Sequence, residues 1–140
     1  MARFPSLSTT HYRWLAVLWT GAIVLAFSLP AASFDGVQPA VGADKVVHVV
    51  LFAVFGGLWM RALCPPDPGT NWARVRRRGG RLLLVGVLFG IGSEVYQQVL
   101  PLRRMADPYD ALADVLGLLF GILLYGAYVR WGPRKEPSPS

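Results

Sequence analysis

The sequence predicts an all-α membrane protein, a bundle of four transmembrane helices with its N- and C-termini in the cytoplasm. Three observations lead there. Hydrophobic residues make up 54% of the 140 and charged residues only 16%, against roughly a quarter charged in soluble domains. The charges are also segregated: residues 14–34 carry none, 82–102 only Glu94, and 111–129 only Asp114. Finally, the basic residues gather in alternate connections, the signature of a fixed orientation in a membrane.

A span needs about 20 mostly apolar residues to cross the hydrocarbon core. The first, at 14–33, meets that length and is flanked by Trp14 and Trp19. An alternative is a signal peptide, since a short basic start, an apolar run and Pro30-Ala31-Ala32-Ser33 resemble a cleavage site. The run is long for that role, and cleavage would leave three spans in the same orientation. The second span, 45–63, becomes long enough when Lys45 and Arg61 snorkel to opposite interfaces. The third and fourth occupy 82–101 and 110–130. The chain thus divides into a cytoplasmic tail at 1–13, a transmembrane domain at 14–131, and a proline-rich cytoplasmic tail at 132–140 whose composition predicts disorder. Cys64 has no second cysteine to pair with, which excludes a disulfide framework or a cysteine-based metal site.

The net charge of +6 and the run Arg74-Val75-Arg76-Arg77-Arg78 would suit nucleic acid, but their placement argues for topology instead. The side bearing the N-terminal tail, the 64–81 connection and the C-terminal tail has 11 of the 14 basic residues, counting Arg61 and Arg130 at the adjoining span ends, with only Asp67 and Glu136 as acids. The positive-inside rule makes that side cytoplasmic, with an added pull toward anionic headgroups. No aromatic-interleaved platform accompanies the arginines, so no nucleic-acid role is predicted. The opposite side holds Asp35, Asp44, Glu94, Asp107, Asp110 and Asp114 against Lys45, Arg103 and Arg104. Each of those cations lies within a few residues of an acid, which is how a site is built.

Helical spacing gathers these groups. Lys45, His48, Phe52 and Gly56 fall on one side of the second span; Gly86, Gly90, Glu94 and Gln97 form a stripe on the third; Asp110, Asp114, Gly117 and Gly121 form another on the fourth. Two stripes contain small-xxx-small pairs, Gly86 with Gly90 and Gly117 with Gly121, which let helix backbones approach closely. The polar residues therefore turn toward neighbouring helices, all near the outer end. Ionisable groups at such a depth are functional candidates by default.

Several readings follow. Glu94, Asp110, Asp114 and His48 are candidates for general acid–base work. Asp44, Lys45, Gln97, Arg103 and Arg104 are candidates for binding, the arginines suiting a phosphate or carboxylate. A purely architectural lock is the competing reading, because buried charges in membranes usually pair with one another. No ligand spacing of the HExxH kind, catalytic-serine elbow, P-loop or dinucleotide fingerprint is present, so neither a metal nor a cofactor is predicted.

Two blocks also carry a resemblance. Asp44-Lys45-Val46-Val47-His48 resembles the DKxxH opening of the VanZ-like family. Glu94 and Gln97, then Pro101 and Arg103, then Asp110, Asp114 and Gly117 resemble its second motif, E-x-x-Q followed by Pro, Arg and D-x-x-x-(N/D)-x-x-G. The likeness covers residues 44–121. Asp114 stands where many members have Asn, adding an ionisable group, and Gln98 and Arg104 duplicate their neighbours. The resemblance implies a small polytopic membrane protein; the namesake is linked to low-level resistance to the glycopeptide teicoplanin. It does not supply a biochemical activity, and family alone does not fix function.

The expectation is a protein of the bacterial cytoplasmic membrane whose outer polar site recognises a cell-envelope amphiphile. That ligand would be a membrane lipid, a lipid-linked precursor or a glycopeptide-like molecule, and self-association is left open. The rivals are a hydrolase or transferase using paired carboxylates, and a non-catalytic assembly factor.

Overall fold

A computed structural model describes residues 7–29, 42–66, 70–99 and 107–132. These form four helices and no strand: α1 (Thr9–Ser28), α2 (Ala43–Leu63), α3 (Trp72–Val99) and α4 (Pro108–Trp131). The stretch 30–33, residues Pro101, Arg103 and Arg104, and the 133–140 tail lie outside the described residues.

The helix starts follow local chemistry. Ser8 caps α1, its side chain accepting from His11 N–H. Gly42 precedes α2 at φ 87, a conformation that glycine adopts without the Cβ clash other residues would meet. Asp107 caps α4 and Pro108 follows at its first turn, where a missing N–H costs nothing.

Helix α3 begins ten residues before the apolar stretch that defines its predicted span. Asn71 accepts from the Ala73 N–H at 2.8 Å and so supplies a cap. The arginines behind it are good helix formers. Gly79, which reads as a breaker beside Gly80, instead marks a packing contact: a Cβ there would lie 3.1 Å from Ile122. At 28 residues, α3 is about 42 Å long, enough for its basic first turns to project beyond a hydrocarbon core about 30 Å thick. Trp72, at its first position, packs on α4, where a Cβ at Gly126 would approach its ring within 3.3 Å.

Helices α2, α3 and α4 are long and apolar enough to cross a membrane. Helix α1, which opens on Thr9, Thr10, His11, Tyr12 and Arg13, is not among the three. The closest approach is between α2 and α4: a Cβ on Gly117 or Gly121 would overlap the backbone of Val49 or Ala53. Leu118 fills the space left by Gly86 on α3 and is fully buried. Phe52, Phe55 and Phe89 stack between α2 and α3, with Phe52 also against Phe27 of α1. Helix α1 is further tied by Trp19 Nε1 donating to the Leu51 carbonyl at 2.9 Å and by Trp59 Nε1 donating to Thr20 Oγ1 at 3.1 Å.

Candidate functional site at one end of the bundle

The N-terminal ends of α2 and α4 and the C-terminal end of α3 meet, and their polar residues form two tiers. In the outer tier Lys45 donates to three carboxylates: Asp107 at 2.8 Å, Asp110 at 3.0 Å and Asp44 at 3.1 Å. Asp107 also accepts from Tyr109 N–H, and the Lys45 ammonium holds its carboxyl below the usual aspartate range, with that backbone N–H as the second cause.

Asp110 joins the tiers. Its Oδ1 accepts from Lys45, while its Oδ2 lies 3.9 Å from His48 Nε2. The opposite ring nitrogen, Nδ1, is 2.8 Å from Asp114 Oδ1. His48 is therefore bracketed by two aspartates of α4, one turn apart. Its ring also stacks on Phe27, with centroids 4.9 Å apart.

The inner tier is buried. Asp114 is 1% exposed, Gln97 5% and Glu94 8%. Gly90 makes room for Asp114, since a Cβ at that position would stand 3.3 Å from Asp114 Oδ2. Three side-chain atoms in this tier have no hydrogen-bond partner among the described residues: Glu94 Oε1, Gln97 Nε2 and Asp114 Oδ2. Leaving such groups unsatisfied costs about 1–3 kcal/mol each, more when charged. Together with His48, Glu94 and Asp114 bring ligand atoms from three helices within 4.8 Å of one another. A second acidic group, Asp44, Asp107 and Asp110, has the Lys45 ammonium at its centre.

Of the residues singled out by spacing, the structure thus gathers Asp44, Lys45, His48, Glu94, Gln97, Asp110 and Asp114 at one end. Gly86, Gly90, Gly117 and Gly121 line the buried faces of α3 and α4. Arg103 and Arg104 belong to the undescribed stretch between those helices. Asp107 is the residue that spacing alone does not select; its signal is an Asp directly before Pro at a helix start. The trio of His48, Glu94 and Asp114 also escapes a search for ligand spacing on one helix, because each helix contributes a single member.

A different feature lies toward the basic end. A largely apolar groove of about 570 Å³ runs past Phe55, Trp59, Leu82 and Phe89 and is edged by Arg13, Arg78 and Arg81.

The chain matches none of the curated proteins and none of the solved structures with which it was compared. The VanZ/LLP1 family profile matches residues 4–129, nearly the whole chain, and this membrane protein with its three apolar spanning helices belongs to that family.

Proposed function

We propose that the polar end of the bundle binds the headgroup of a cell-envelope amphiphile, a lipid or lipid-linked precursor, on the extracytoplasmic side of the bacterial cytoplasmic membrane. The incomplete pairing of the inner tier carries this reading. A structural lock is stable when every buried group is satisfied, whereas Glu94, Gln97 and Asp114 each retain an unpartnered buried atom. In this reading Lys45 organises the rim, because three carboxylates already surround its ammonium. The acid-rich interior suits hydroxyl, amide or amine groups of the ligand, and any anion-holding role falls to Arg103 and Arg104. We further propose that α1 serves as a fourth span and that both termini are cytoplasmic, as the distribution of arginine and lysine favours.

Native mass spectrometry of the full chain released from its own membrane tests the site. A co-purifying lipid species is expected, lost in Glu94→Gln and Asp110→Asn while both variants keep their thermal stability in detergent. No bound species, or one retained by both variants, overturns the proposal. A fluorescent-protein and alkaline-phosphatase pair fused to the C-terminus tests orientation: fluorescence without phosphatase activity is expected.

A membrane-embedded hydrolase or transferase is the second reading. It is favoured by His48 lying between Asp110 and Asp114, an arrangement able to accept and pass on a proton. It requires a changed species by mass spectrometry after incubation with envelope lipid extract, and unaltered extract counts against it.

A further inference from the structure

We infer that His48, Glu94 and Asp114 form a binding site for a divalent first-row transition ion such as Zn²⁺ or Mn²⁺. The inference rests on the inner tier being a site rather than a lock, but it does not depend on which amphiphile is bound.

Charge is the first argument. Glu94 and Asp114 are two carboxylates inside a predominantly apolar bundle, and Lys45 is held by Asp44, Asp107 and Asp110 instead. A divalent cation would neutralise both at once without burying an excess charge.

Geometry is the second. Ligand atoms of the three residues lie within 4.8 Å of one another. His48 Nδ1 and Asp114 Oδ1 are hydrogen-bonded at 2.8 Å, a little under the roughly 3.0 Å between cis ligands of an octahedral ion with bonds of about 2.1 Å, so an ion would take the place of the shared proton with a shift of a few tenths of an ångström. Glu94 Oε1 and Asp114 Oδ2 are buried and have no hydrogen-bond partner among the described residues. If His48 ligates through Nδ1, its Nε2–H faces Asp110 Oδ2 at 3.9 Å. Asp110 is in turn fixed by Lys45. That places a carboxylate near the far side of the ring, within ion-pair range but beyond hydrogen-bond distance, where a small approach would supply the partner that ligating histidines usually have.

Ligand chemistry selects the class of ion. Calcium and magnesium favour all-oxygen sites, whereas one imidazole with two carboxylates suits zinc, manganese or ferrous iron. Three protein ligands would leave a further position for a water or ligand, and Gln97, with a buried Nε2 unpartnered among the described residues, lies one turn from Glu94 on α3. In such a site the ion would orient a water molecule or a ligand oxygen.

The test uses the full chain purified in detergent through a tag without histidine, with metal content measured by inductively coupled plasma mass spectrometry. Near one equivalent of a transition ion is expected, removed by chelator and restored by Zn²⁺ or Mn²⁺, with a rise in thermal stability on restoration. Glu94→Gln and His48→Gln should each lower the affinity at least tenfold while the helical circular dichroism is unchanged. Should Asp114→Asn fail to fold, those two variants still decide the matter. Absence of bound ion after titration with both metals overturns the inference, as does equal binding by wild type and both variants. Absence of bound ion with an amphiphile still retained would remove the metal site and leave the proposed function standing; absence of both would remove both.

Discussion

His48 on α2 and Asp114 on α4 face each other at 2.8 Å, both buried, at the end of the two helices that approach most closely. Backbone proximity and polar pairing coincide there. Gly117, one turn beyond Asp114, admits the Val49 backbone, next to His48. The spacing that sets the pair is therefore itself set by a missing side chain.

Removing one member of the pair strands the other. Asp114→Ala in chelator is expected to cost about 1–3 kcal/mol of stability in detergent, the penalty for leaving a buried polar group without its partner. His48→Leu combined with Asp114→Leu should recover most of that loss, because an apolar pair leaves nothing unsatisfied. Denaturant titrations followed by circular dichroism check both variants. A double variant no more stable than the single one would show that the pair contributes little.

The glycines on α4 and α3 separate packing from mere flexibility. A Cβ at Gly121 collides with Ala53 backbone, whereas one at Gly92 meets nothing within 4 Å. Gly121→Ala should therefore destabilise by about 1–3 kcal/mol, the cost of overpacking a closed interface. Gly92→Ala should be neutral or slightly stabilising. Equal behaviour of the two in the same unfolding assay would contradict the close approach of α2 and α4.

Much of the fold is legible in the sequence because charge and hydropathy act along one helix at a time. The stripes of Glu94 with Gln97 and of Asp114 with Gly117 specify a face, and each residue named is buried. The start of α3 is less legible, since Arg74–Arg81 and the paired glycines resemble a loop until Asn71 is seen to cap a helix. Lys45 is the clearest limit. Its charge alone favours an anion, but the depth at which α2 meets α4 brings Asp107 and Asp110 onto its ammonium. Such inter-helix register is not encoded in the spacing of either helix.

Cys64 offers a probe of the opposite end. It is 1% exposed, and burial pushes its thiol above the usual range although Arg78 and Arg74 pull the other way. Its carbonyl accepts the Tyr125 hydroxyl, anchoring the end of α2 to α4. Because the thiolate is the reactive form, a maleimide at neutral pH should label the folded protein far more slowly than the denatured chain. Rapid labelling of both would show that this end of the bundle opens.

Asp107 gives the acid limb of stability a defined source. Its carboxyl is held low in the folded protein by Lys45, so the unfolded state takes up the proton first as pH falls. The stabilising contribution is complete above about pH 4, the ordinary aspartate range. It disappears as pH drops through the lower folded-state value. Asp107→Asn preserves a good helix cap over Tyr109 while deleting the charge. The variant should melt earlier than wild type near pH 6, and the gap should close as pH falls below about 4, where wild type also loses the ion pair. Thermal melts in detergent across the acid range measure it. A gap that persists undiminished at the lowest pH where both proteins fold would mean that Asp107 acts through its cap or its packing, and that the Lys45 contact contributes no stability of its own.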